Sequence, residues 1–339
     1  MGEYQNPILS IRTDCNSSTG YGHVMRCLAV SEELTKLGVS LRFVLSSDSD
    51  RELVERKSYN AIVLKNIGLA TDELLELLNP NDGPLLLDSY DVSEQDLEIF
   101  HSNGFRVILF DDAMRLKKYP CDLVVDSAPN AQFLPYKGFP ETRFCLGSTY
   151  FPLREEFLKV RRKKFVAEQV NTVMISFGGS DHDDITFKTL KAMVGIEGKL
   201  EFIVALGPAY MGQAYEFAKI DKRIRIVQNV HDMAELMVTA DVAVCSSGGT
   251  AREFAYLGIP MVLLSLSPDQ VPIARAMTQA AEYLNDKKKA IDDTDIARAV
   301  VELMADKPKR QLMHIAGLTL IDGRGSKRVA SAIYSVIEG

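Results

Sequence analysis

The segment ILSIRTDCNSSTGYGHVMRCLAVSEELTKLGVSLRFVLS, residues 8–46, contains a strand, a helix and a second strand in succession. Residues 8–13 form a short apolar run, residues 22–37 place apolar side chains at helical spacing, and residues 39–46 form another apolar run. Two strands joined by a helix run parallel in one sheet. The segment therefore predicts an α/β fold built on a parallel sheet, with helices on both faces.

The same alternation of apolar runs and helical segments, such as TDELLELL (71–78), continues along the chain and restarts once. The restart follows the basic segment KVRRKKF (159–165). The further apolar runs are AIVLK (61–65), GPLLLDSY (83–90), FRVILFDD (105–112), CDLVVDS (121–127), NTVMISFGG (171–179), LEFIVALG (200–207), RIRIVQN (223–229), DVAVCSS (241–247) and PMVLLSL (260–266). We predict two parallel-sheet domains, residues 1–155 and 169–339, joined by a linker at 156–168.

The composition is that of an ordinary globular protein: of 339 residues, 46% are hydrophobic and 25% are charged. The formal net charge of −7 argues against a nucleic-acid partner, because a phosphate backbone selects basic surfaces. Apolar runs stay short of the ~20 residues that cross a bilayer. The polar start MGEYQNP does not resemble a signal peptide, so we expect a cytoplasmic protein without stable membrane insertion. The oligomeric state is left open.

The cysteines are odd in number and form no CxxC pair. That pattern indicates neither a disulfide framework nor a zinc site, so we expect reduced and mostly buried thiols. With no metal-ligand motif in the sequence, we expect neither a metal nor a cofactor. The five cysteines are Cys15, Cys27, Cys121, Cys145 and Cys245.

Three loops that follow predicted strands are rich in glycine: STGYGH (18–23), SFGGSD (176–181) and SSGGT (246–250). Ligands of open parallel sheets bind at the carboxyl ends of the strands, and glycines let the backbone approach them. The loops match neither a P-loop nor a complete GxGxxG fingerprint, which leaves ATP and NAD unsupported. Glycines also close ordinary turns, but two GG pairs in one domain favour a ligand site.

Glu253 lies one helical turn beyond Thr250 in the sequence. There it could accept hydrogen bonds from a ribose beside an anion site at the helix start. Its alternative role is that of a carboxylate placed near a helix N-terminus for capping and dipole reasons alone.

His23 stands at the predicted start of the first helix, after the closely spaced Gly20 and Gly22, which let the chain turn sharply. The apolar stripe of this helix leaves His23 outside it. A helix N-terminus disfavours protonation of an imidazole, so we expect a neutral ring that can act as a general base. The alternative is a histidine that only hydrogen-bonds the loop backbone. The stripe consists of Val24, Cys27, Leu28, Ser31 and Leu34.

An ordered set of segments resembles the UDP-sugar hydrolases of pseudaminic acid biosynthesis. These segments are NSSTGYGHVMRCLAVSEEL (16–34), LLLDSYDV (85–92), LFDDAMR (109–115), CDLVVD (121–126), LGSTYFPLREEF (146–157), ISFGGSD (175–181) and DMAELMVTADVAVCSSGGTAREFAYLGIPMVLL (232–264). The chain is also similar to the spore-coat polysaccharide biosynthesis proteins, including LIDGRGSKRVASAI (320–333). Its second half more distantly resembles the peptidoglycan N-acetylglucosaminyltransferase. The resemblance implies a GT-B fold, in which two Rossmann-like domains face each other across a cleft and the second holds most of the UDP. It also implies that the last helix is able to pack back on the first domain.

The resemblance also assigns site residues. It implies catalytic roles for His23 and Tyr90 and substrate binding by Asp14, Gly20, Gly22 and Asp269. The implied nucleotide-binding residues are Gly178, Gly179, Ser180, Val230, Ser247, Gly248, Gly249, Thr250, Glu253 and Gln270. Two positions depart from the hydrolase pattern: Ser89 replaces a histidine, and Asp269 precedes Gln270 where an Asn-Gln pair is expected. Because both positions are expected to face the sugar, its identity stays open.

The function that the resemblance implies is hydrolysis of a UDP-linked amino sugar at the anomeric C–O bond with inversion, in nonulosonic acid or surface polysaccharide biosynthesis. His23 would deprotonate the attacking water, and the glycine-rich loops would stabilise the leaving diphosphate without a metal. One alternative is a GT-B glycosyltransferase that delivers the sugar to an acceptor hydroxyl. A second is a nucleotide-sugar-binding protein without catalytic activity.

Overall fold

The computed structural model describes residues 7–14, 20–46, 51–112, 114–179, 181, 183–207, 210–230, 232–285 and 292–339. The chain divides into two compact units. The first comprises Met1–Arg154 together with Gly323–Gly339, and the second comprises Glu155–Asp322.

The described residues form strands and helices in both units. The strands are β1 (Ile8–Thr13), β2 (Ser40–Leu45), β3 (Asn60–Val63), β4 (Leu85–Asp88), β5 (Val107–Phe110), β6 (Leu123–Asp126), β7 (Arg143–Leu146), β8 (Thr172–Ser176), β9 (Glu201–Leu206), β10 (Ile224–Gln228), β11 (Val242–Ser246), β12 (Met261–Leu264) and β13 (Ala281–Tyr283). The helices are α1 (Gly22–Lys36), α2 (Arg51–Glu55), α3 (Thr71–Leu77), α4 (Glu94–Ser102), α5 (Glu155–Lys159), α6 (Ile185–Val194), α7 (Ala214–Ile220), α8 (Met233–Met237), α9 (Gly249–Leu257), α10 (Gln270–Ala276), α11 (Asp293–Ala305), α12 (Lys307–Leu320) and α13 (Gly325–Glu338).

The first unit is built on a parallel sheet with the strand order β3-β2-β1-β4-β5-β6-β7. Both faces of this sheet are buried. Successive side chains of a strand point to opposite sides, so each strand contributes to the core on both faces. Leu86 and Ile108 pack in a core cluster with α1 and α13, whereas Leu85 and Leu87 pack in another cluster with α3 and α4. This two-sided burial explains why the strands appear in the sequence as continuous apolar runs.

The second unit repeats the design with the order β10-β9-β8-β11-β12-β13, again all parallel. The predicted parallel-sheet class is confirmed in both units. The strands that the sequence did not predict are β7 and β13. Each lies at the edge of its sheet, is only partly buried and begins or continues with a charged residue, Arg143 or Glu282.

Both sheets reverse their strand order beside the first strand of the unit. The chain runs from β1 outwards through β2 and β3 and then returns to β4 on the other side of β1. In the second unit it runs from β8 through β9 and β10 and returns to β11. The carboxyl ends of β1 and β4, and of β8 and β11, therefore border crevices of the kind that bind ligands in open α/β sheets.

Helix α13 closes one face of the first sheet, although it comes from the end of the chain. Val329 and Ile333 are buried in the same cluster as α1. Ser326 Oγ donates a hydrogen bond to the carbonyl of Leu153 at 2.9 Å. At Gly325 the two backbones touch, and a Cβ atom there would overlap the carbonyl oxygen of Phe151.

We expect Gly325→Ala to destabilise the first unit by about 1 to 3 kcal/mol, because the backbone of Phe151 cannot yield as a flexible side chain would. Alanine would otherwise favour a helix over glycine. Thermal and urea unfolding measure the change. Ser331→Ala, at an exposed position of the same helix, is the control. Equal stability of the two variants would show that the close approach does not constrain α13.

Candidate active site

His23 and Asp88 meet at the crevice between β1 and β4. His23 is the second residue of α1, Asp88 is the last residue of β4, and His23 Nδ1 lies 2.6 Å from Asp88 Oδ1. The predicted stripe of α1 is buried, but the expectation that His23 lies outside the buried face is wrong. The residue is only 6% exposed, because its ring turns towards Asp88 rather than towards solvent.

Arg26 fixes the carboxylate that His23 contacts. It lies three residues after His23 and so on the same face of α1. Its Nε donates to Asp88 Oδ2 at 2.7 Å, and its Nη2 donates to Asp88 Oδ1. Its remaining nitrogen, Nη1, donates to both oxygens of Asp112 at 2.9 and 2.8 Å. A single guanidinium thus holds two buried carboxylates in one geometry.

The charge on Asp88 determines which nitrogen of His23 carries a proton. Burial by itself raises the pKa of the Asp88 carboxyl, but Arg26 and His23 outweigh burial and hold that pKa far below its usual range. Asp88 is therefore an acceptor, and His23 Nδ1 must be its donor. The 3.2 Å separation of Arg26 Nη2 from His23 Nδ1 then reflects two donors converging on Oδ1. The Nε2 of His23 keeps its lone pair and can accept a proton.

Tyr90 lies against the His23 ring. The ring centroids are 4.6 Å apart with an interplanar angle of 89°, and Tyr90 is 43% exposed. Arg115 holds this segment through hydrogen bonds to the carbonyls of Ser89 and Tyr90 and stacks over the Tyr90 ring at 5.1 Å. Ser89 is buried, with its hydroxyl accepting from the Asp91 backbone at 3.1 Å. The two residues predicted to be catalytic, His23 and Tyr90, are therefore brought together.

Asp14, assigned to substrate binding, lies in a buried ion pair. Its Oδ1 is 2.8 Å from Arg12 Nη1 and accepts from Ser46 Oγ at 3.1 Å. Of the two glycines in the turn, Gly20 has a φ of +76°, which few other residues adopt. Gly22 has neither a positive φ nor a close neighbour to its Cβ position, so the sharp turn depends on Gly20 and not on Gly22.

In the second unit, Gly178 and Gly179 follow β8 at the crevice with β11. Gly178 has a φ of +87°, and a Cβ atom on Gly207 would overlap the carbonyl oxygens of both residues. The loops after β8 and β9 therefore touch through their backbones. Ser180, predicted in the same loop, lies outside the described residues.

The loop after β11 leads into α9 with hydrogen-bond donors grouped at the helix start. Gly248 is the N-cap of α9 and has no side chain to occupy the free N–H groups. Gly249 is exposed and Thr250 half-buried. Gln270 Oε1 accepts from the Leu266 backbone at 3.1 Å, which turns its Nε2 towards Gly248. Ser247 is buried beneath them and bonds Ser265 at 2.9 Å. These donors suit a phosphate.

The remaining predicted residues lie around this site. Glu253 is half-buried in the second turn of α9, beyond the reach of its N-cap. Together with burial, its charge raises the pKa of the Cys245 thiol in β11. Asp269 and Gln270 stand at the start of α10. Val230 follows β10 at the far edge of the sheet, two strands from β8, and so is not next to the α9 loop within the sheet.

The described cysteines, Cys27, Cys121, Cys145 and Cys245, are buried free thiols, as predicted. Cys15 lies outside the described residues. Within the described part of the chain, no three His, Cys, Asp or Glu side chains are grouped to hold a metal ion. The helices of that part are too short or too polar to cross a bilayer.

Sequence reasoning missed a second group of carboxylates at the ends of β5 and β6. Asp111 accepts from Tyr119 Oη at 2.6 Å and from Tyr136 Oη at 3.1 Å, and Asp126 accepts from Tyr136 Oη at 2.6 Å. A signal was present in the sequence, since an aspartate stands at the end of three neighbouring parallel strands: Asp88, Asp111 and Asp126.

Asp126 retains its proton to an unusually high pH. Burial raises the pKa of this carboxyl from 3.8 to about 6 against the opposing hydrogen bond from Tyr136, and the nearby charges of Asp112 and Asp111 add to the rise. Once protonated, Asp126 can donate to Tyr136 Oη instead of accepting from it, which leaves the single Tyr136 proton for Asp111.

We expect Asp126→Asn to stabilise the protein by about 1 to 3 kcal/mol at pH 7.5. Between pH 3.8 and about 6 the unfolded chain releases this proton while the folded chain keeps it, so stability falls as pH rises through that window. An asparagine can donate to Tyr136 at every pH, so its advantage should disappear below about pH 4.

Denaturant unfolding at pH 7.5 and pH 4 measures this difference. Asp72→Asn, at an exposed position in the first turn of α3, is the control and should behave alike at both pH values. Equal effects of Asp126→Asn at the two pH values would contradict the raised pKa.

Comparison with known proteins supports the resemblance at low identity. The spore coat polysaccharide biosynthesis protein SpsG of Bacillus subtilis is 24% identical over 337 residues, 97% of this chain and 98% of that protein. The pseudaminic acid cytidylyltransferase and UDP-2,4-diacetamido-2,4,6-trideoxy-beta-L-altropyranose hydrolase of Helicobacter pylori is 23% identical over 268 residues, 78% of this chain and 45% of that protein. An uncharacterized protein of Methanocaldococcus jannaschii is 28% identical over 268 residues, 76% of this chain and 55% of that protein.

The chain thus spans about half the length of two of these curated relatives. A peptidoglycan N-acetylglucosamine transferase of Caldanaerobacter subterraneus is 26% identical over 124 residues, 33% of this chain and 34% of that protein. No protein-family model matches the chain.

The crystal structure of MurG of Acinetobacter baumannii superposes with a TM-score of 0.66 at 14% identity, covering 98% of this chain and 100% of that one. The two parallel-sheet units thus have the fold of the GT-B glycosyltransferases, and that prediction is confirmed. The relatives have names from sugar and polysaccharide biosynthesis, and this chain is similar to them at low identity.

Proposed function

We propose that this chain is an enzyme that takes a UDP-sugar and transfers its glycosyl group to an acceptor hydroxyl. The observation that carries the proposal is the His23–Asp88 pair, a buried imidazole held by an ionised carboxylate at the switch point of the first sheet. Likeness to glycosyltransferase structures favours transfer over the hydrolysis that sequence resemblance put first.

In this reaction His23 Nε2 accepts the proton of the acceptor hydroxyl as its oxygen bonds the anomeric carbon. The bond from that carbon to the UDP oxygen breaks, and UDP leaves with the electron pair. Asp88, already bonded to Nδ1, stabilises the imidazolium that forms. The N–H groups at the start of α9 and the amide of Gln270 are the donors for the charge that grows on the diphosphate.

Hydrolysis is the second candidate, favoured by the name of the Helicobacter pylori relative. The same base would then act on water. Release of UDP from a panel of UDP-sugars, with and without a glycosyl acceptor, separates the functions. A transferase needs the acceptor, a hydrolase releases UDP in buffer alone, and a binding protein releases none in either condition.

We expect His23→Ala to lower kcat by about 10² to 10⁴ while leaving UDP affinity nearly unchanged, because the nucleotide is assigned to the second unit. His23→Asn should do little better, since an amide cannot take the proton. His101→Ala, an exposed histidine at the end of α4, is the control. A His23→Ala protein with a near-normal rate would exclude His23 as the base.

We expect Glu253→Ala to weaken UDP binding by about 1.5 to 3 kcal/mol, the range for hydrogen bonds to a charged group. Calorimetric titration with UDP measures the loss, and CMP and ADP serve as competing nucleotides. Glu235→Ala, an exposed glutamate in the first turn of α8, is the matched control. A lower melting temperature with unchanged UDP affinity would instead assign Glu253 a structural role.

A further inference from the structure

We propose that Asp112 is a positioning residue for the His23 base and acts on it through Arg26. The inference rests on the proposed function of His23. Asp112 is buried, and both of its oxygens accept from Arg26 Nη1. The guanidinium therefore uses one edge, Nε and Nη2, for Asp88 and its other nitrogen for Asp112.

The charges of this cluster are balanced only when His23 is protonated. Asp88 and Asp112 contribute two negative charges and Arg26 one positive charge, so the cluster has a net charge of −1 while the imidazole is neutral. When Nε2 accepts a proton, the net charge becomes zero. In a buried site this difference favours the imidazolium that forms during the reaction. Without Asp112 the cluster would start neutral and end with an uncompensated positive charge.

Asp112 also holds the guanidinium in place. An arginine bound on one edge alone can rotate about its long side chain, whereas bonds on both sides fix its plane. The plane of Arg26 determines where Asp88 presents its oxygens, and Asp88 in turn orients His23 Nδ1. Asp112 thus fixes the orientation of Arg26 and supplies a negative charge that favours the imidazolium of His23.

The other titratable groups around the cluster are Cys27, Tyr90, Arg115 with its partner Asp111, and Asp126. Burial raises the pKa of the Cys27 thiol, which donates to Asp88 at 3.3 Å, so it stays neutral. Tyr90 packs on the imidazole, and Arg115 pairs with Asp111 at 3.1 Å. The pKa of Asp126 is raised to about 6, mainly by burial and partly by Asp112. The test therefore includes an Asp126→Asn background.

The experiment compares Asp112→Asn with the unmutated protein in the UDP-release assay across pH. We expect kcat/KM at pH 7 to fall about tenfold and the acid limb of its pH profile to move about one pH unit lower, because the imidazolium loses a stabilising charge. The KM for the UDP-sugar should not change. The same shift should appear in the Asp126→Asn background.

Three further variants separate charge from geometry. Arg26→Lys keeps the positive charge but loses the forked contacts to both carboxylates. It should therefore lower kcat and should not show the pH profile of the unmutated protein. Asp112→Glu keeps the negative charge and should keep the acid limb in its original position. Asp91→Asn is the matched control, because Asp91 is an exposed carboxylate beside Tyr90. Circular dichroism checks that each variant is folded.

Histidine ring NMR tests the inference without requiring turnover. The His23 signal is assigned by its absence in His23→Gln, and its protonated fraction at a fixed pH should be lower in Asp112→Asn than in the unmutated protein. If no UDP-sugar is turned over but this fraction falls, the proposed function fails and the inference stands. If turnover occurs but Asp112→Asn changes neither the protonated fraction nor the acid limb, the inference is overturned. If Asp112→Asn does not fold, the protonated fraction of His23 and the acid limb of the pH profile are measured on Asp112→Glu and Arg26→Lys instead. These two variants then test the inference.

Discussion

Burial of both faces of a parallel sheet determines where this protein can place polar chemistry. Strands such as β4 and β5 have apolar side chains on both sides, so polar and charged groups are confined to the strand ends and the loops beyond them. At the carboxyl ends, helix N-termini contribute free N–H groups and the reversal of strand order opens a crevice. The imidazole of His23 and the donors around Gly248 both lie at such ends.

The fold was largely predictable because its main signal is local. Apolar runs and helical spacing identify the central strands of both sheets, and β1 coincides with its predicted residues. The edge strands β7 and β13 were missed, because each is short, only partly buried and carries a charged residue, Arg143 or Glu282. Edge position alone does not explain the omission, since the edge strands β3 and β10 lie in apolar runs that the sequence did predict.

The candidate site was predictable only in part, because its interactions join distant parts of the chain. The histidine and the glycine-rich loops could be found from their position at strand ends. The partner of His23 could not, because Asp88 lies 65 residues away and only the sheet order brings them together.

The position of α13 has a consequence for how the chain folds during synthesis. The first sheet buries one face against α1 and against the helix at Gly325–Glu338, which is synthesised after the second unit. The second unit, Glu155–Asp322, is complete before those residues leave the ribosome. A nascent chain therefore presents an incompletely covered apolar sheet while its later half already has all of its residues. The apolar face of the unit that is translated first can therefore be covered by this helix only after the second unit has been synthesised.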